Sequence, residues 1–335
     1  MSQEDGWPVL VTRRLPDVAM RAIEERCRID LWDDEWAIPR DELLRRLEGK
    51  VGAVTLLTEK VDAEFLDAGR DLVIVANYAV GFDNVDVEEC SRRGVLASNT
   101  PEVLTETTAD TAWSLIMAAA RRVAEGDRFL RRRVPWIWAP MMMLGQDVQG
   151  KTLGIVGFGR IGQAVARRGL GFGMRVIYFD VYRPPEDVER ELHAEYRSFD
   201  ELLNEADVIS IHVALTPETR HLFGAEQFRM MKDTAVIVNT SRGPVIDEGA
   251  LAGALRDREI FSAGLDVFEN EPEVHPGLLD LENAVVIPHL GSATVETRDA
   301  MGMLAAENLI AALEGRRPPT LIDPGMWDRR RGSAS

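Results

Sequence analysis

Short apolar runs rich in β-branched residues alternate with stretches of helical periodicity along nearly the whole chain, and this alternation constrains the fold most. Five runs lie in the first hundred residues: PVLVT (8–12), RIDLW (28–32), GAVTLL (52–57), LVIV (72–75) and GVLAS (94–98). A second series follows Lys151: TLGIVG (152–157), MRVIYFD (174–180), DVISIHV (207–213), TAVIVNT (234–240), FSAGLDVF (261–268) and AVVIP (284–288). This pattern predicts an α/β architecture with parallel sheets, and 335 residues suffice for two domains or one large one.

The segment between the two strand series has the pattern of one long helix, TETTADTAWSLIMAAARRVAEGDRFLRRR (105–133). Its middle, AWSLIMAAA (112–120), is apolar on all sides, so we expect it to be buried between domains or subunits. A loop rich in Trp, Pro and Met follows, VPWIWAPMMMLG (134–145). Near the C-terminus the pattern predicts a helix over 296–314 and a disordered tail, DRRRGSAS (328–335).

Charge and composition argue against several classes of function. A formal net charge of −17 disfavours nucleic-acid binding, because nothing offsets the repulsion from phosphates. The N-terminal MSQEDGWPVLVTRR has acidic residues where a secretion signal needs basic ones, and no apolar run reaches the ~18 residues of a membrane helix. Cys27 and Cys90 lie far apart and outside any Cys-x-x-Cys pattern, so neither a disulfide framework nor a metal site is expected. We therefore expect a cytoplasmic protein with no membrane or nucleic-acid partner.

A glycine-rich motif, GKTLGIVGFGRIG (150–162), follows a predicted strand and opens a helix. Gly157, Gly159 and Gly162 have the G-x-G-x-x-G spacing that allows a tight turn, close approach of a pyrophosphate and close helix packing. Asp180 ends the next strand, where an acid accepts hydrogen bonds from a ribose diol. Its charge would repel a 2′-phosphate, which favours NAD(H) over NADP(H), although Arg183 offers partial compensation. A tight strand–helix turn without a ligand is the alternative.

Three polar residues follow three later strands: Arg242 in VNTSRGPVID, Glu271 in LDVFENEP and His289 in VIPHLGSAT. Each has another explanation: Arg242 capping a helix or pairing with Asp247, Glu271 as a solvated acid, and His289 bonding to nearby backbone. In a parallel sheet the strand C-termini line one crevice, so the three side chains are also able to converge. Together they suit carbonyl reduction: arginine binds a carboxylate, histidine donates a proton, and glutamate orients the imidazole.

Five stretches carry a family resemblance: ANYAVGFDNVD (76–86), GKTLGIVGFGRIG (150–162), VNTSRGPVIDEGAL (238–251), AGLDVFENEP (263–272) and PHLGSAT (288–294). On these, the chain resembles the D-2-hydroxyacid dehydrogenases over nearly its whole length, most closely the glyoxylate/hydroxypyruvate reductase branch. The resemblance implies two Rossmann-like or flavodoxin-like domains with a cleft between them. The substrate-binding domain would span 1–99 plus 292–335, and the dinucleotide-binding domain 100–291.

The resemblance also implies roles for individual residues. It makes Arg242, Glu271 and His289 the catalytic set, with His289 as the acid/base. It brings Thr107 and Asp266 near the nicotinamide and Thr216 and Pro217 near the adenine end. The full set of cofactor-binding residues it implies is Gly157, Gly159, Arg160, Ile161, Gly162, Asp180, Thr107, Thr216, Pro217, Thr240, Asp266 and Gly291. The implied substrate-binding residues are Leu57, Asn77, Val80, Gly81, Arg242 and Trp138, with the backbone of Val80 and Gly81 at the substrate carboxylate.

The resemblance bears on assembly and substrate as well. Trp138 matches a tryptophan that in relatives reaches the neighbouring subunit's active site, although an aromatic in a dimerisation arm is an alternative. The apolar segment 112–120 and the loop 134–145 predict a homodimer built on the cofactor domain.

Phosphoglycerate dehydrogenases of the family usually carry an arginine where Asn77 and Tyr78 stand, so we expect a small unphosphorylated 2-keto acid, glyoxylate or hydroxypyruvate. A 3-phosphoglycerate or D-lactate dehydrogenase remains an alternative, as does a family-related NAD-sensing co-repressor. Formate dehydrogenases of the superfamily replace the glutamate with glutamine, whereas Glu271 is present here.

Overall fold

The computed structural model describes residues 6–331. The chain divides into two compact units: the first runs to Leu104 and resumes at Ala293, and the second spans Thr105–Ser292. Each unit consists of a parallel β-sheet and the helices that connect its strands. This confirms the predicted fold class of two α/β domains.

The first unit contains a five-stranded parallel sheet in the order β2-β1-β3-β4-β5, the flavodoxin-like order. Its elements are β1 (Trp7–Val11), α1 (Asp17–Glu24), β2 (Cys27–Leu31), α2 (Arg40–Arg46), β3 (Gly52–Thr55), α3 (Ala63–Ala68), β4 (Ile74–Asn77), α4 (Val87–Arg92) and β5 (Leu96–Ser98). Strands β3, β4 and β5 are buried at every residue, which explains why they appear in the sequence as continuous apolar runs.

The second unit is built on a seven-stranded sheet, all parallel, in the order β12-β11-β10-β9-β6-β7-β8. Its elements are α5 (Thr105–Ala120), α6 (Val123–Arg131), β6 (Thr152–Val156), α7 (Arg160–Gly171), β7 (Arg175–Phe179), α8 (Glu186–Glu191), β8 (Ala194–Tyr196), α9 (Phe199–Glu205), β9 (Val208–Ile211), α10 (Ala225–Met230), β10 (Val236–Asn239), a 3-10 turn (Gly243–Val245), α11 (Glu248–Arg256), β11 (Ser262–Leu265), α12 (Pro276–Leu279) and β12 (Ala284–Val286). The strand order reverses between β6 and β9. Ligands of doubly wound sheets bind at this switch point, outside the carboxyl ends of the strands.

The chain then returns to the first unit through α13 (Val295–Leu313) and α14 (Met326–Arg329). Helix α13 packs against α1, β3 and β4. The Asn308 amide donates to the Thr320 hydroxyl (2.7 Å), which in turn donates to the carbonyl of Asn99 (2.7 Å), and these bonds fix the segment after α13 beside the end of β5. The C-terminal part of the chain therefore completes the first unit.

The predicted strands are all present, with bounds shifted by up to three residues, and the 296–314 helix is present as α13. Strand β8 was not predicted, because only one of its three residues is buried. The predicted disorder of 328–335 was wrong where the structure describes it: Asp328 and Arg329 belong to α14, and Arg331 donates to the carbonyl of Arg93 at 2.8 Å. Residues 332–335 of that tail, and the acidic residues 1–5, lie outside the described part.

The prediction of one long helix over 105–133 was also wrong. Helix α5 ends at Ala120, Arg122 adopts a left-handed φ of 53°, and α6 begins at the next residue. The returning chain explains the break, since the N–H of Gln146 donates to the carbonyl of Ala120 (2.8 Å) in place of a helical donor. The apolar residues of α5 pack against α7, β10 and β11 in the core of their own unit.

Within residues 6–331, no helix is both long and apolar enough to cross a membrane. The same residues contain no group of three or more His, Cys, Asp or Glu side chains that could hold a metal ion.

Candidate active site

The glycine-rich turn joins β6 to α7, and two of its positions require glycine. Gly157 has a φ of +94°, and a Cβ atom there would lie 2.6 Å from the carbonyl carbon of His212. A Cβ atom on Gly162 would lie 2.2 Å from the carbonyl oxygen of Gly157. These two glycines therefore serve the tight turn and the close packing of helix on strand.

Gly159 and the start of α7 form a cradle with room for an anion. Gly159 is exposed, and a Cβ atom there would meet nothing within 4 Å. It is the N-cap of α7, no side chain caps the helix, and the first turn begins with Arg160 and Ile161. The first-turn N–H groups and the positive end of the helix dipole attract a phosphate or pyrophosphate, so the cradle suits a dinucleotide.

Asp180 lies one residue beyond β7 and is tied to the glycine-rich turn. One carboxylate oxygen accepts a hydrogen bond from the N–H of Phe158 (2.6 Å), and the other accepts one from the N–H of Tyr182 (3.0 Å). These bonds hold the carboxylate beside the turn. An acid at this place in a dinucleotide fold accepts hydrogen bonds from a ribose diol.

Arg183 is already paired. Its guanidinium donates to Glu189 at 2.7 Å and lies over the ring of Tyr196, 5.0 Å from the centroid. The same Glu189 oxygen accepts a hydrogen bond from the hydroxyl of Tyr178. The arginine charge beside Asp180 is therefore offset by a glutamate on α8.

Other residues expected at the cofactor site also follow strands or open a helix of this unit. Thr240 follows β10, and its hydroxyl oxygen is buried without a hydrogen-bond partner among residues 6–331. A buried hydroxyl without a partner is costly, and a polar ligand group can supply the missing bond. Thr107 lies half-buried in the first turn of α5, and Thr216 and Pro217 lie in an exposed turn after β9.

Asp266, one residue beyond β11, is buried and holds the loop that follows β12. Its carboxylate accepts hydrogen bonds from the N–H groups of Leu290 and Gly291 (2.8 Å to Gly291), and its carbonyl accepts the N–H of His289 (2.9 Å). Burial raises the pKa of Asp266, and the two N–H groups oppose that rise. His289 adopts a left-handed φ of 52°, a conformation uncommon outside glycine that surrounding bonds must maintain.

His289 and Glu271 are directly hydrogen-bonded, with 2.8 Å between the imidazole Nδ1 and Glu271 Oε2. The other Glu271 oxygen accepts the N–H of Phe268 at 3.0 Å. Burial alone would raise the pKa of Glu271, but the hydrogen bond and charge of His289, the Phe268 N–H and the charge of Arg242 outweigh it and lower that pKa. Glu271 is therefore a carboxylate at neutral pH, suited to orienting a histidine.

Arg242 belongs to a turn that packs on the Glu271 loop. The side-chain amide of Asn239 donates to the carbonyl of Arg242 (2.9 Å), and the 3-10 turn begins at Gly243. A Cβ atom on Gly243 would lie 1.9 Å from the carbonyl carbon of Phe268. Only glycine allows this backbone-to-backbone contact, so the turn of Arg242 and the loop of Glu271 are fixed against each other. Gly243 was not among the residues predicted from the sequence, although its place directly after Arg242 was a usable signal.

The expected substrate residues of the first unit lie around the end of β4. The Asn77 side chain is buried and donates to the carbonyl of Gly81 (3.1 Å), so it shapes the loop from inside. The hydroxyl of Tyr78 likewise donates to the carbonyl of Arg298 at 2.8 Å. The N–H groups of Val80 and Gly81 have no hydrogen-bond acceptor among residues 6–331, which leaves them available to an anion. Leu57 is half-buried in the neighbouring loop after β3.

Trp138 is 75% exposed, in a segment whose apolar side chains largely face solvent. The exposed apolar residues of this segment are Val134, Trp136, Ile137, Trp138, Met141 and Leu144. The described structure gives Trp138 no bond to Arg242, Glu271 or His289 and does not bring it into the catalytic set.

A second His–Glu pair was not predicted from the sequence. His221 Nε2 lies 3.0 Å from the carboxylate of Glu269, two residues before Glu271. Glu269 in turn bonds to the backbone of Glu248. Both acids lie in stretches quoted above, but acidic residues in polar loops are common and offered no separate signal.

Comparison with known proteins agrees with this geometry. Residues 113–291, just over half of the chain, match the family model described as D-isomer specific 2-hydroxyacid dehydrogenase, NAD binding domain. The chain is 53% identical over 319 residues to a glyoxylate reductase of Korarchaeum cryptofilum, and 50% identical over 319 residues to one of Thermococcus onnurineus. Each alignment covers 94% of this chain and 95% of the relative.

A crystal structure of a protein from Thermus thermophilus superposes with a TM-score of 0.89 at 45% identity, over 94% of this chain and 100% of that one. The resemblance inferred from the sequence motifs is thus confirmed. The chain belongs to the D-isomer-specific 2-hydroxyacid dehydrogenases, which are oxidoreductases that use a nicotinamide cofactor.

Proposed function

We propose that this protein reduces glyoxylate, and also hydroxypyruvate, to the corresponding 2-hydroxy acid with NADH, and that Arg242, Glu271 and His289 are its catalytic residues. The observation that carries the proposal is the 2.8 Å bond between His289 and Glu271 in the unit that contains the glycine-rich turn. The glyoxylate reductases to which the chain is about half identical support the choice of substrate.

Each catalytic side chain has a distinct task in this proposal. The guanidinium of Arg242 binds the substrate carboxylate through paired N–H donors. The Nδ1 atom of His289 is bonded to Glu271, so Nε2 is the nitrogen that gives its proton to the carbonyl oxygen. The carboxylate of Glu271 bonds to Nδ1 and orients the imidazole. When bound, the reduced nicotinamide supplies the hydride.

We assign the dinucleotide to the second unit and substrate recognition to the first, as the family resemblance implies. The cofactor-binding residues are then Gly157, Gly159, Arg160, Ile161, Gly162, Asp180, Thr107, Thr216, Pro217, Thr240, Asp266 and Gly291. The available N–H groups of Val80 and Gly81 suit a carboxylate, with Leu57 nearby and Asn77 supporting the loop.

A substrate panel tests the proposed function and its selectivity. Arg242 is committed to the carboxylate, and Leu56 and Leu57 offer no charge to a second anionic group, which would be costly to bury unpaired. We expect glyoxylate and hydroxypyruvate to be reduced well, pyruvate more weakly and 3-phosphohydroxypyruvate scarcely at all. The measurement is kcat/KM for each acid with NADH at one salt concentration. A higher kcat/KM for 3-phosphohydroxypyruvate than for hydroxypyruvate would contradict the predicted selectivity. If none of the acids were reduced, the alternative of an NAD-sensing co-repressor would be favoured.

Cofactor preference is expected to depend on Asp180. Its carboxylate repels a 2′-phosphate, and Arg183, the nearby cation able to offset this repulsion, is paired with Glu189 at 2.7 Å. Wild-type enzyme should therefore give a higher kcat/KM with NADH than with NADPH, and Asp180→Ser should narrow the gap. Asp187→Ser, which removes an exposed acid on α8, is the control and should leave the ratio unchanged. A wild type that prefers NADPH would show that Arg183 outweighs Asp180.

We further propose a homodimer in which the 134–145 loop contributes to the interface. The loop exposes Trp138 (75%) and Ile137 (83%) together with other apolar side chains, and a cluster of exposed apolar residues suits a protein–protein interface. Light scattering at micromolar concentration should give about twice the 37.3 kDa chain mass. Ile137→Glu should shift the mass toward the monomer, whereas Val181→Glu, an equally exposed site outside the loop, should not. A monomeric wild type would contradict the proposal.

A further inference from the structure

Glu248, the first residue of α11, is only 5% exposed and lies against the loop that carries Glu271. One of its carboxylate oxygens accepts the N–H of Glu269 at 2.8 Å, and the other accepts the N–H of His275 at 3.3 Å. In return, the Glu269 carboxylate accepts the N–H of Glu248 at 2.9 Å. One buried side chain therefore bonds to the loop on both sides of Glu271.

Apart from the bonds to Glu248, the loop is held by the contact of Gly243 with Phe268 at its base and by a bond from the N–H of Glu273 to the carbonyl of Asn270 (2.9 Å) at its tip. The residues between the two anchor points are largely exposed, from Asn270 to Glu273. Glu271 must nevertheless keep one oxygen 3.0 Å from the N–H of Phe268 and the other 2.8 Å from His289. Because the tip is exposed, the bonds to Glu248 add a second attachment on both sides of Glu271 to the Gly243–Phe268 contact at the base of the loop.

The surroundings of Glu248 suit a structural carboxylate. Glu269 carries a second negative charge nearby, and His221 bonds to the far side of Glu269 at 3.0 Å. Burial raises the pKa of Glu248, while the N–H groups of Glu269 and His275 oppose that rise. Burying a carboxylate is unfavourable unless its oxygens are bonded, and here both are bonded to the same loop.

We propose that Glu248 is a positioning residue for the reaction: by anchoring both sides of the loop, it keeps Glu271 within hydrogen-bond distance of His289. The inference rests on the proposed catalytic role of Glu271. Glutamine at position 248 keeps the shape of the side chain but turns one acceptor oxygen into an NH₂ donor that faces an N–H donor. One anchor is thereby lost with little change in volume.

The test compares the pH profile of kcat for Glu248→Gln, Glu271→Gln and the double variant. We expect Glu248→Gln to lower kcat on the order of tenfold or more, the scale of an imperfectly positioned acid/base. Its alkaline decline in rate should move to lower pH, as in Glu271→Gln, while the Kd for NADH stays unchanged. In the double variant, kcat should be no lower than in Glu271→Gln alone, because Glu248 acts through Glu271.

The control is Glu201→Gln, which removes a carboxylate that accepts the N–H of Ser198 (2.9 Å) in the first turn of α9, in the same unit but outside the loop that carries Glu271. Its pH profile should match the wild type. If the losses of kcat in the two single variants multiplied in the double variant, Glu248 would be merely structural and the inference would be overturned. The same would follow if the pH profile of kcat did not move in Glu248→Gln. If Glu271→Gln alone left the profile unmoved, the proposed role of Glu271 would fail instead.

If Glu248→Gln does not fold, Glu269→Gln replaces it. That substitution weakens the hydrogen bond that the Glu269 carboxylate accepts from the N–H of Glu248. Glu269 is the more exposed of the two side chains. We expect it to shift the profile in the same direction, and an unmoved profile would overturn the inference.

Discussion

His289→Gln is expected to bind NADH as tightly as the wild type and to reduce glyoxylate about 10²- to 10⁴-fold more slowly, the usual contribution of a general acid. Glutamine retains a hydrogen-bonding group of similar size, so the loop held by Asp266 should persist. What it lacks is a proton that can leave at neutral pH. The measurements are kcat with glyoxylate and the Kd for NADH by fluorescence.

The matched control for this prediction is His193→Gln, at an exposed histidine of the same unit. It should leave kcat within a factor of about two, as surface substitutions usually do. A His289→Gln enzyme with wild-type kcat would show that another group supplies the proton.

Glu271→Gln should move the alkaline decline of the reduction rate to lower pH, because the substitution removes an opposite charge at hydrogen-bond distance from His289. The pKa of Glu271 is lowered, so its negative charge is present at neutral pH and is lost only as the pH falls through that lowered value. A negative charge therefore lies 2.8 Å from His289 at neutral and alkaline pH. The pH dependence of kcat for the wild type and the variant tests whether the alkaline decline moves in this direction.

The same variant should retain its fold, because glutamine can still accept the N–H of Phe268 through its carbonyl oxygen. Asp247→Asn is a suitable control, since Asp247 caps α11 and is neither a proposed catalytic residue nor the proposed positioning residue. An alkaline decline that stayed in place, or moved to higher pH, would remove Glu271 from the proposed role.

The sequence predicted the fold well because both sheets consist of buried, parallel strands. Such strands are continuous β-branched runs, as in β4 and β9, and their order along the chain leaves few topologies. Strand β8 lacks that pattern, and the break after Ala120 depends on a bond from Gln146, which is distant in sequence. Features produced by such long-range contacts cannot be recognised from local periodicity.

The candidate site likewise combines residues that local sequence signals predicted with contacts that they did not. The glycine spacing and Asp180 are local signals, and the polar residues at strand ends pointed to Arg242, Glu271 and His289. The supporting contacts are not local: Asp266 holds the His289 loop across 25 residues, and Gly243 contacts Phe268 across a similar separation. Asn77 likewise has a buried partner distant in sequence, since its side-chain oxygen accepts a hydrogen bond from the hydroxyl of Thr55 (3.2 Å).

The central claim is that His289 supplies the proton to the substrate carbonyl. It is tested most directly by a single turnover, in which enzyme saturated with NADH is mixed with saturating glyoxylate and NADH oxidation is followed by stopped-flow absorbance. We predict that His289→Gln oxidises its bound NADH at least about 10²-fold more slowly than wild type, at an unchanged Kd for NADH. A single-turnover rate equal to that of the wild type would contradict the account.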